Sequence, residues 1–176
     1  MIKFLKKHKS ISILFMLLII YLMNANDLII NLDKKNDKLS EISFEQLTAQ
    51  DQVNFALDEP VLMDDMLKTM YISGWAFCEN DLVRPEREIS IVLASDKHSY
   101  LVSNKATLRR DFYVTFTEQI DNVMSGIETK FSTINIKNGI YRLYIYVSEN
   151  ETRTGLAYTG MQFEKKHGTL KRIENN

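Results

Sequence analysis

The chain has 176 residues, 45% of them hydrophobic and 26% charged, and its 22 Lys+Arg against 23 Asp+Glu leave a formal net charge of −1. That length and apolar fraction suit one domain with a real core plus an appendage and exclude wholesale disorder, while the charge balance argues against nucleic-acid binding, which needs a basic excess. One Cys excludes an intrachain disulfide, a CxxC redox pair and a multi-cysteine zinc site, and six Gly with two Pro exclude collagen-like material.

Lys3, Lys6, Lys7, His8 and Lys9 precede an apolar run from Ile11 to Met23. Lysines favour the anionic cytoplasmic face and the run carries no charge into hydrocarbon, so the predicted topology is N-in, C-out. Residues 1–10 read as a cytoplasmic basic flank, and residues 11–30 as an anchor or signal segment in contact with membrane lipid. The uninterrupted run is shorter than the ~20 residues that span a bilayer core, which suits a signal-peptide h-region. Against cleavage, Met23-Asn24-Ala25 lacks a small residue at the −3 position, and Leu28-Ile29-Ile30 can lengthen the helix. The preferred reading is an uncleaved single-pass anchor, ahead of a cleaved signal and of a buried soluble helix.

Residues 31–50 turn polar, with both signs of charge between Asn31 and Lys38, and read as a solvated spacer in which Ser43 to Gln50 has room for a short helical turn. From 51 to 165 the pattern changes to short apolar runs rich in Val, Ile, Tyr, Phe and Thr, as pleated, half-buried strands prefer. Candidate strands are Gln52 to Leu57, Lys68 to Phe77, Glu88 to Ala94, His98 to Ser103, Phe112 to Thr117, Glu128 to Ile136, Ile140 to Ser148 and Leu156 to Phe163. Seven or eight strands in this span predict an all-β sandwich. Helical structure in this domain is expected to be minor, a turn at Val61 to Leu67 and another at Lys105 to Arg110, and residues 166–176 read as a polar tail. Asn138-Gly139, whose residue types tolerate positive φ, predicts a tight hairpin.

Alternation assigns faces. Tyr141, Leu143, Ile145 and Val147 share the core side of their strand, and Arg142, Tyr144 and Tyr146 share the other; Ile89, Ile91 and Leu93 likewise point one way. In Leu156 to Phe163, Ala157, Thr159, Met161 and Phe163 alternate with Leu156, Tyr158 and Gly160, which suits a strand covered on both sides.

The segments Ile72-Ser73-Gly74-Trp75-Ala76-Phe77, Ile89-Ser90-Ile91-Val92-Leu93, Arg109-Arg110-Asp111-Phe112, Gly126-Ile127 with Phe131, Ile134 and Ile136, and Gly139-Ile140-Tyr141-Arg142-Leu143 carry a family likeness. Together they resemble small immunoglobulin-like β-sandwich modules of bacterial cell-surface and polysaccharide-related proteins. The likeness runs from about Tyr71 to Val147, with Ile127 standing where the pattern has an aromatic residue. It implies an immunoglobulin-like sandwich acting as a non-catalytic accessory module, and carries over no ligand.

The three histidines, His8, His98 and His167, assemble no Ser-His-Asp order, and G-x-S-x-G, H-E-x-x-H and an EF-hand loop are absent from the sequence. His98 reads as an exposed turn residue rather than a base. Cys78 reads as a small packing residue, and Asp58-Glu59 and Asp64-Asp65 as pairs that diverge on a strand rather than a calcium site. Arg110 and Asp111 are expected to brace a long connection through charge-assisted bonds, and Trp75 to pack in the core rather than stack on a ligand. No cofactor is implied.

The candidate ligand-binding residues are Arg142, Tyr144 and Tyr146, with Tyr158 on a neighbouring strand. Flat aromatic faces stack on the C–H face of a sugar or on a partner protein, and arginine pairs with an anionic group. The competing reading is that a second layer or the spacer covers these tyrosines. The expected function is a membrane-tethered, non-catalytic module that binds or organises an envelope component such as a surface polysaccharide. The alternative is a protein-interaction subunit of a membrane complex, with an enzyme third.

Overall fold

The structure is a computed structural model that describes Met16 and residues 39–58, 61–64, 67–79, 86–108, 124–150 and 152–173. Segment 11–30 therefore lies outside the described residues except for Met16, and among the described residues no helix is long and apolar enough to cross a membrane. The described part of 36–176 is all-β. Its strands are β1 (Leu39–Ile42), β2 (Val53–Leu57), β3 (Leu62–Asp64), β4 (Thr69–Cys78), β5 (Arg87–Ala94), β6 (Ser99–Lys105), β7 (Thr107–Leu108), β8 (Met124–Ser132), β9 (Gly139–Glu149), β10 (Arg153–Lys166) and β11 (Thr169–Ile173).

They form two antiparallel sheets. One has the order β1-β6-β5-β9-β10-β11; the other has β2-β4-β8-β7, with β3 continuing the β2 edge of β4. Period-2 alternation sends one side of every long strand into the space between them. The six-stranded sheet contributes Ile89, Ile91, Leu93, Tyr100, Val102, Tyr141, Leu143, Ile145, Val147 and Phe163. The other sheet contributes Met70, Ile72, Ala76, Cys78, Ile127 and Phe131. Each fully buried large aliphatic or aromatic side chain of this set is worth about 1.5–3 kcal/mol relative to exposure. Two glycines allow close approach: a Cβ at Gly74 would lie 2.3 Å from Ala56 O, and one at Gly155 would lie 2.4 Å from Val53 Cγ2.

Polar ties close both ends of the core. At one end Glu149 Oε1 accepts from Arg87 Nε and Nη2, both at 2.6 Å, and from Cys78 N at 3.2 Å, while Arg87 Nη1 donates to Met124 O at 2.9 Å. At the other end Lys165, 3% exposed, donates from Nζ to Thr133 O across the sandwich at 2.8 Å. Tyr141 donates its hydroxyl to Lys137 O at 2.9 Å; burial, reinforced by neighbouring Tyr100, pushes this phenol up to about 12.

Several expectations are corrected. The described residues carry eleven strands rather than seven or eight, because short strands cap the sheet edges at β1, β3, β7 and β11. Strand β3 replaces the turn expected within 61–67, and β7 replaces the one expected from Lys105. Asn138-Gly139 makes no hairpin: β8 and β9 belong to different sheets, so residues 133–138 cross between layers. Gly139 opens β9, and neither it nor Asn138 is among the positive-φ residues. Trp75 does not enter the inter-sheet core. The core partners on β4 are its even-numbered residues, and Trp75 lies half-buried on the opposite face, stacked on Phe77 at 5.6 Å. The strand expected over Phe112 to Thr117 and the brace Arg110-Asp111 lie outside the described residues.

Candidate functional site

The outer face of the six-stranded sheet gathers the sequence-predicted residues. Antiparallel register sets Tyr158 opposite Tyr144, Gln162 opposite Arg142 and Leu156 opposite Tyr146. Tyr144 and Tyr158 form a tilted pair with centroids 5.3 Å apart, and Gln162 Nε2 donates to the Tyr158 hydroxyl at 3.3 Å. Arg142 is exposed, Tyr158 is 42% exposed, and Tyr144 and Tyr146 are half-buried. Arg142, Tyr144 and Tyr158 therefore form one cluster, while Tyr146 sits one row further along β9 beside Leu156.

The β9–β10 hairpin sets the first and last of these pairs, and a bulge brings Gln162 opposite Arg142. Between Tyr158 and Gln162, β10 advances four residues while β9 advances two. Two extra residues leave the alternation of faces intact. Within the bulge Thr159 Oγ1 donates to Leu143 O at 2.9 Å, which satisfies a carbonyl the interrupted ladder leaves over, and Gly160 takes φ +80°.

Residues 43–50 account for the burial of Tyr144. They join β1, at the β6 edge, to Asp51, which makes a parallel bridge to Gly155 of β10. The strands β6, β5 and β9 lie between those endpoints, so the chain must pass over a face of the sheet. Phe44 shows which one: its ring lies 5.1 Å from that of Tyr144, on the outer side. A single 3₁₀ turn, Phe44–Gln46, shapes the crossing, and Gln50 N and Asp51 N donate to Thr154 O at 2.8 and 3.0 Å. Beneath this strap Val92 is wholly buried and Ser90 nearly so, although both point away from the core. The strap thus covers the middle of the face at Ser90 and Val92, while Arg142 and Tyr158 on β9 and β10 stay exposed.

Charged ties pin both ends of the strap. Arg153 Nε donates to Asp51 Oδ2 at 2.9 Å, and this bond holds the Asp51 carboxyl below its usual range. At the β1 end Glu41 Oε1 lies 3.1 Å from Lys137 Nζ and 3.0 Å from His98 Nδ1; Lys137, then His98, hold the Glu41 carboxyl low. His98 thus has a carboxylate neighbour in an edge-strand tie rather than standing alone in its turn. Cys78 is 1% exposed, and burial, with Glu149 nearby, pushes its thiol up to about 12. Asp64 Oδ1 accepts from Leu67 N at 2.8 Å, so this carboxylate caps a turn.

Two contributors to the face escaped the sequence reading. Phe44 sits in a polar stretch that carries no β alternation. Gln162 is a neighbour of Tyr158 only because of the bulge; the Thr159-Gly160 pair was its one local signal. Compared with known proteins, the chain matches no family model, no curated sequence and no solved structure.

Proposed function

We propose that the chain is a membrane-tethered, non-catalytic binding module of immunoglobulin-like type. Segment 11–30 anchors it with the N-terminus cytoplasmic, and the β-sandwich takes hold of an envelope component, such as a surface polysaccharide, on the outer side. The basic-then-apolar N-terminus supports the tether. The observation that carries the binding reading is the Phe44–Tyr144–Tyr158 row, with successive centroids 5.1 and 5.3 Å apart and the exposed guanidinium of Arg142 beside it. Tyr158 offers an open ring to a sugar's C–H face, Tyr144 and Phe44 support it from behind, and Gln162 fixes its hydroxyl. Arg142 supplies a donor fork for an anionic substituent.

The test is co-sedimentation of the full chain, in detergent micelles, with purified cell-wall polysaccharide. Tyr158→Ala and Arg142→Ala should each weaken binding about tenfold, as loss of a stacking ring or a charge-assisted pair does, and Tyr146→Ala should leave it unchanged. Equal binding by all three variants would remove the face from consideration. A second reading, a protein-interaction subunit, is favoured by β11, which is the last strand of the six-stranded sheet among the described residues and so lies at its edge. Partner-dependent stabilisation without polysaccharide binding would select it.

A further inference from the structure

Lys165 is buried, yet its Nζ donates to carbonyl oxygens, Thr133 O at 2.8 Å and Gly168 O at 3.0 Å. A second amine converges on the same two turns. The carbonyl of half-buried Lys68 accepts from Thr133 N and Thr133 Oγ1 at 2.7 and 3.0 Å, and Lys68 Nζ lies 3.5 Å from Thr169 Oγ1. Among the described residues the ion pairs are Arg87–Glu149, His98–Glu41, Lys137–Glu41 and Arg153–Asp51, so neither of these lysines has a carboxylate in contact. Burial, and then the proximity of Lys68, hold Lys165 below the usual lysine range.

Placing a buried cation beside a half-buried one without a counter-charge is unfavourable. The fold enforces it through backbone that cannot easily relax, with φ +51° at Lys68, +50° at His167 and +79° at Gly168. Lys166, His167 and Lys171 join Thr169 around an adjoining surface hollow that holds one acidic residue, Glu164. We propose that this end of the sandwich is a phosphate-binding site, in which Lys68 Nζ and Thr169 Oγ1 contact the oxyanion and Lys165 supplies fixed positive charge from beneath. A phosphate there gives both lysines the counter-charge that no described residue provides. The site is separate from the tyrosine face and does not depend on it.

The experiment titrates the full chain, in detergent micelles, with inorganic phosphate balanced by chloride at constant ionic strength, and follows the amide resonances of Gly168 and Thr169. Both should shift saturably. Lys68→Gln should weaken the apparent affinity by about tenfold or more, as loss of a charge-assisted bond does; Lys68→Arg should retain it, and so should Tyr158→Ala. Lys68→Gln is expected to fold, because its side chain makes one long contact and its structural bonds are through the backbone. Lys165→Met, if folded, should also lose binding. Absence of a saturable shift, or equal affinity in Lys68→Gln, overturns the proposal. A parallel titration with poly(glycerol phosphate) separates the sources: tighter binding than inorganic phosphate assigns a polymer phosphodiester, and equal or weaker binding assigns free phosphate.

Discussion

Replacing Glu149 by Gln probes the tie between the sheets at its most sensitive atom. Its side chain is fully buried, that of Arg87 is 1% exposed, and one oxygen, Oε1, accepts from two guanidinium nitrogens and the Cys78 amide. Gln preserves shape and can still accept from Cys78 N, but it leaves the guanidinium without its anion. Breaking a buried pair from one side costs about 3–5 kcal/mol. A domain is stable by only about 5–15 kcal/mol, so the loss is a large fraction of the total. At roughly 2–4 °C per kcal/mol for this size, Tm should fall by about 6–20 °C. The companion variant, Arg87→Met with Glu149→Gln, removes the stranded cation and should recover to within about 2 kcal/mol of the parent, since paired buried charges are often replaceable together. Urea unfolding followed by the fluorescence of Trp75, the single Trp, measures both. A Glu149→Gln chain within about 1 kcal/mol of the parent, or a double variant as weak as the single one, would refute the reasoning about this desolvated pair.

Cys78 should resist thiol alkylation in the native chain and react at a rate set by unfolding, because its thiol is 1% exposed and held neutral up to about 12. Between 9.0, the ordinary thiol value, and about 12 the folded state holds a proton that the unfolded state has lost, so stability should fall as pH rises. Cys78→Ala should remove that component and leave the one from Tyr141, which begins at 10.0; unchanged alkaline profiles would contradict both assignments. Glu41 works in the opposite direction. Its carboxyl is held below 4.5, so the β1 tie is present above that value and lost as pH falls through the depressed one. Glu41→Gln should blunt the acid-induced loss of β1 resonances, and an identical acid profile would count against the tie. Gly155→Ala should destabilise by about 1–3 kcal/mol in urea melts through overpacking, because its new Cβ would meet Val53 Cγ2 at 2.4 Å and Asp51 O at 2.9 Å.

What was legible in the sequence was the alternation of long strands that face the core. Tyr141, Leu143, Ile145 and Val147 are all wholly buried, as the period-2 pattern of β9 requires. The edge strands were not legible, because LSEI, LMD and TL owe their extended state to a neighbour's ladder rather than to their own composition. The Asn138-Gly139 hairpin failed for a related reason. Local turn propensity favours it, but Ile136 is 3% exposed between layers, and burying it draws the chain from one sheet to the other. Trp75 shows the limit of hydrophobicity as a guide to the core: stacking on Phe77 shields much of the indole without placing it between the sheets.

The candidate face was legible in part, since alternation alone puts Arg142 and Tyr144 together. The opposition of Gln162 and Arg142 was not, because it depends on a bulge that shifts the register by two residues beyond Tyr158. The strap was anticipated only in the competing reading that the spacer covers the tyrosines, and its Phe44, in a polar stretch, gave no sign of which ring it meets. These illegible features determine what the face can do. The strap covers Ser90 and Val92 of β5 and leaves Arg142 and Tyr158 open, and on that open surface β10 runs from Tyr158 through Gln162 to Lys166. Gln162 lies opposite Arg142, and Lys166 opposite Thr169. At about 3.3 Å per residue, Gln162 and Lys166 are roughly 13 Å apart. A polymer carrying both sugar rings and phosphates could engage the tyrosine row and the lysine turns together, whereas a free sugar or free phosphate could engage only one. Linked contacts multiply affinity when the spacing fits. Joint loss on Tyr158→Ala with Lys68→Gln should then exceed that of either alone for a phosphate-bearing polysaccharide, and should reduce to one variant's effect for either small fragment.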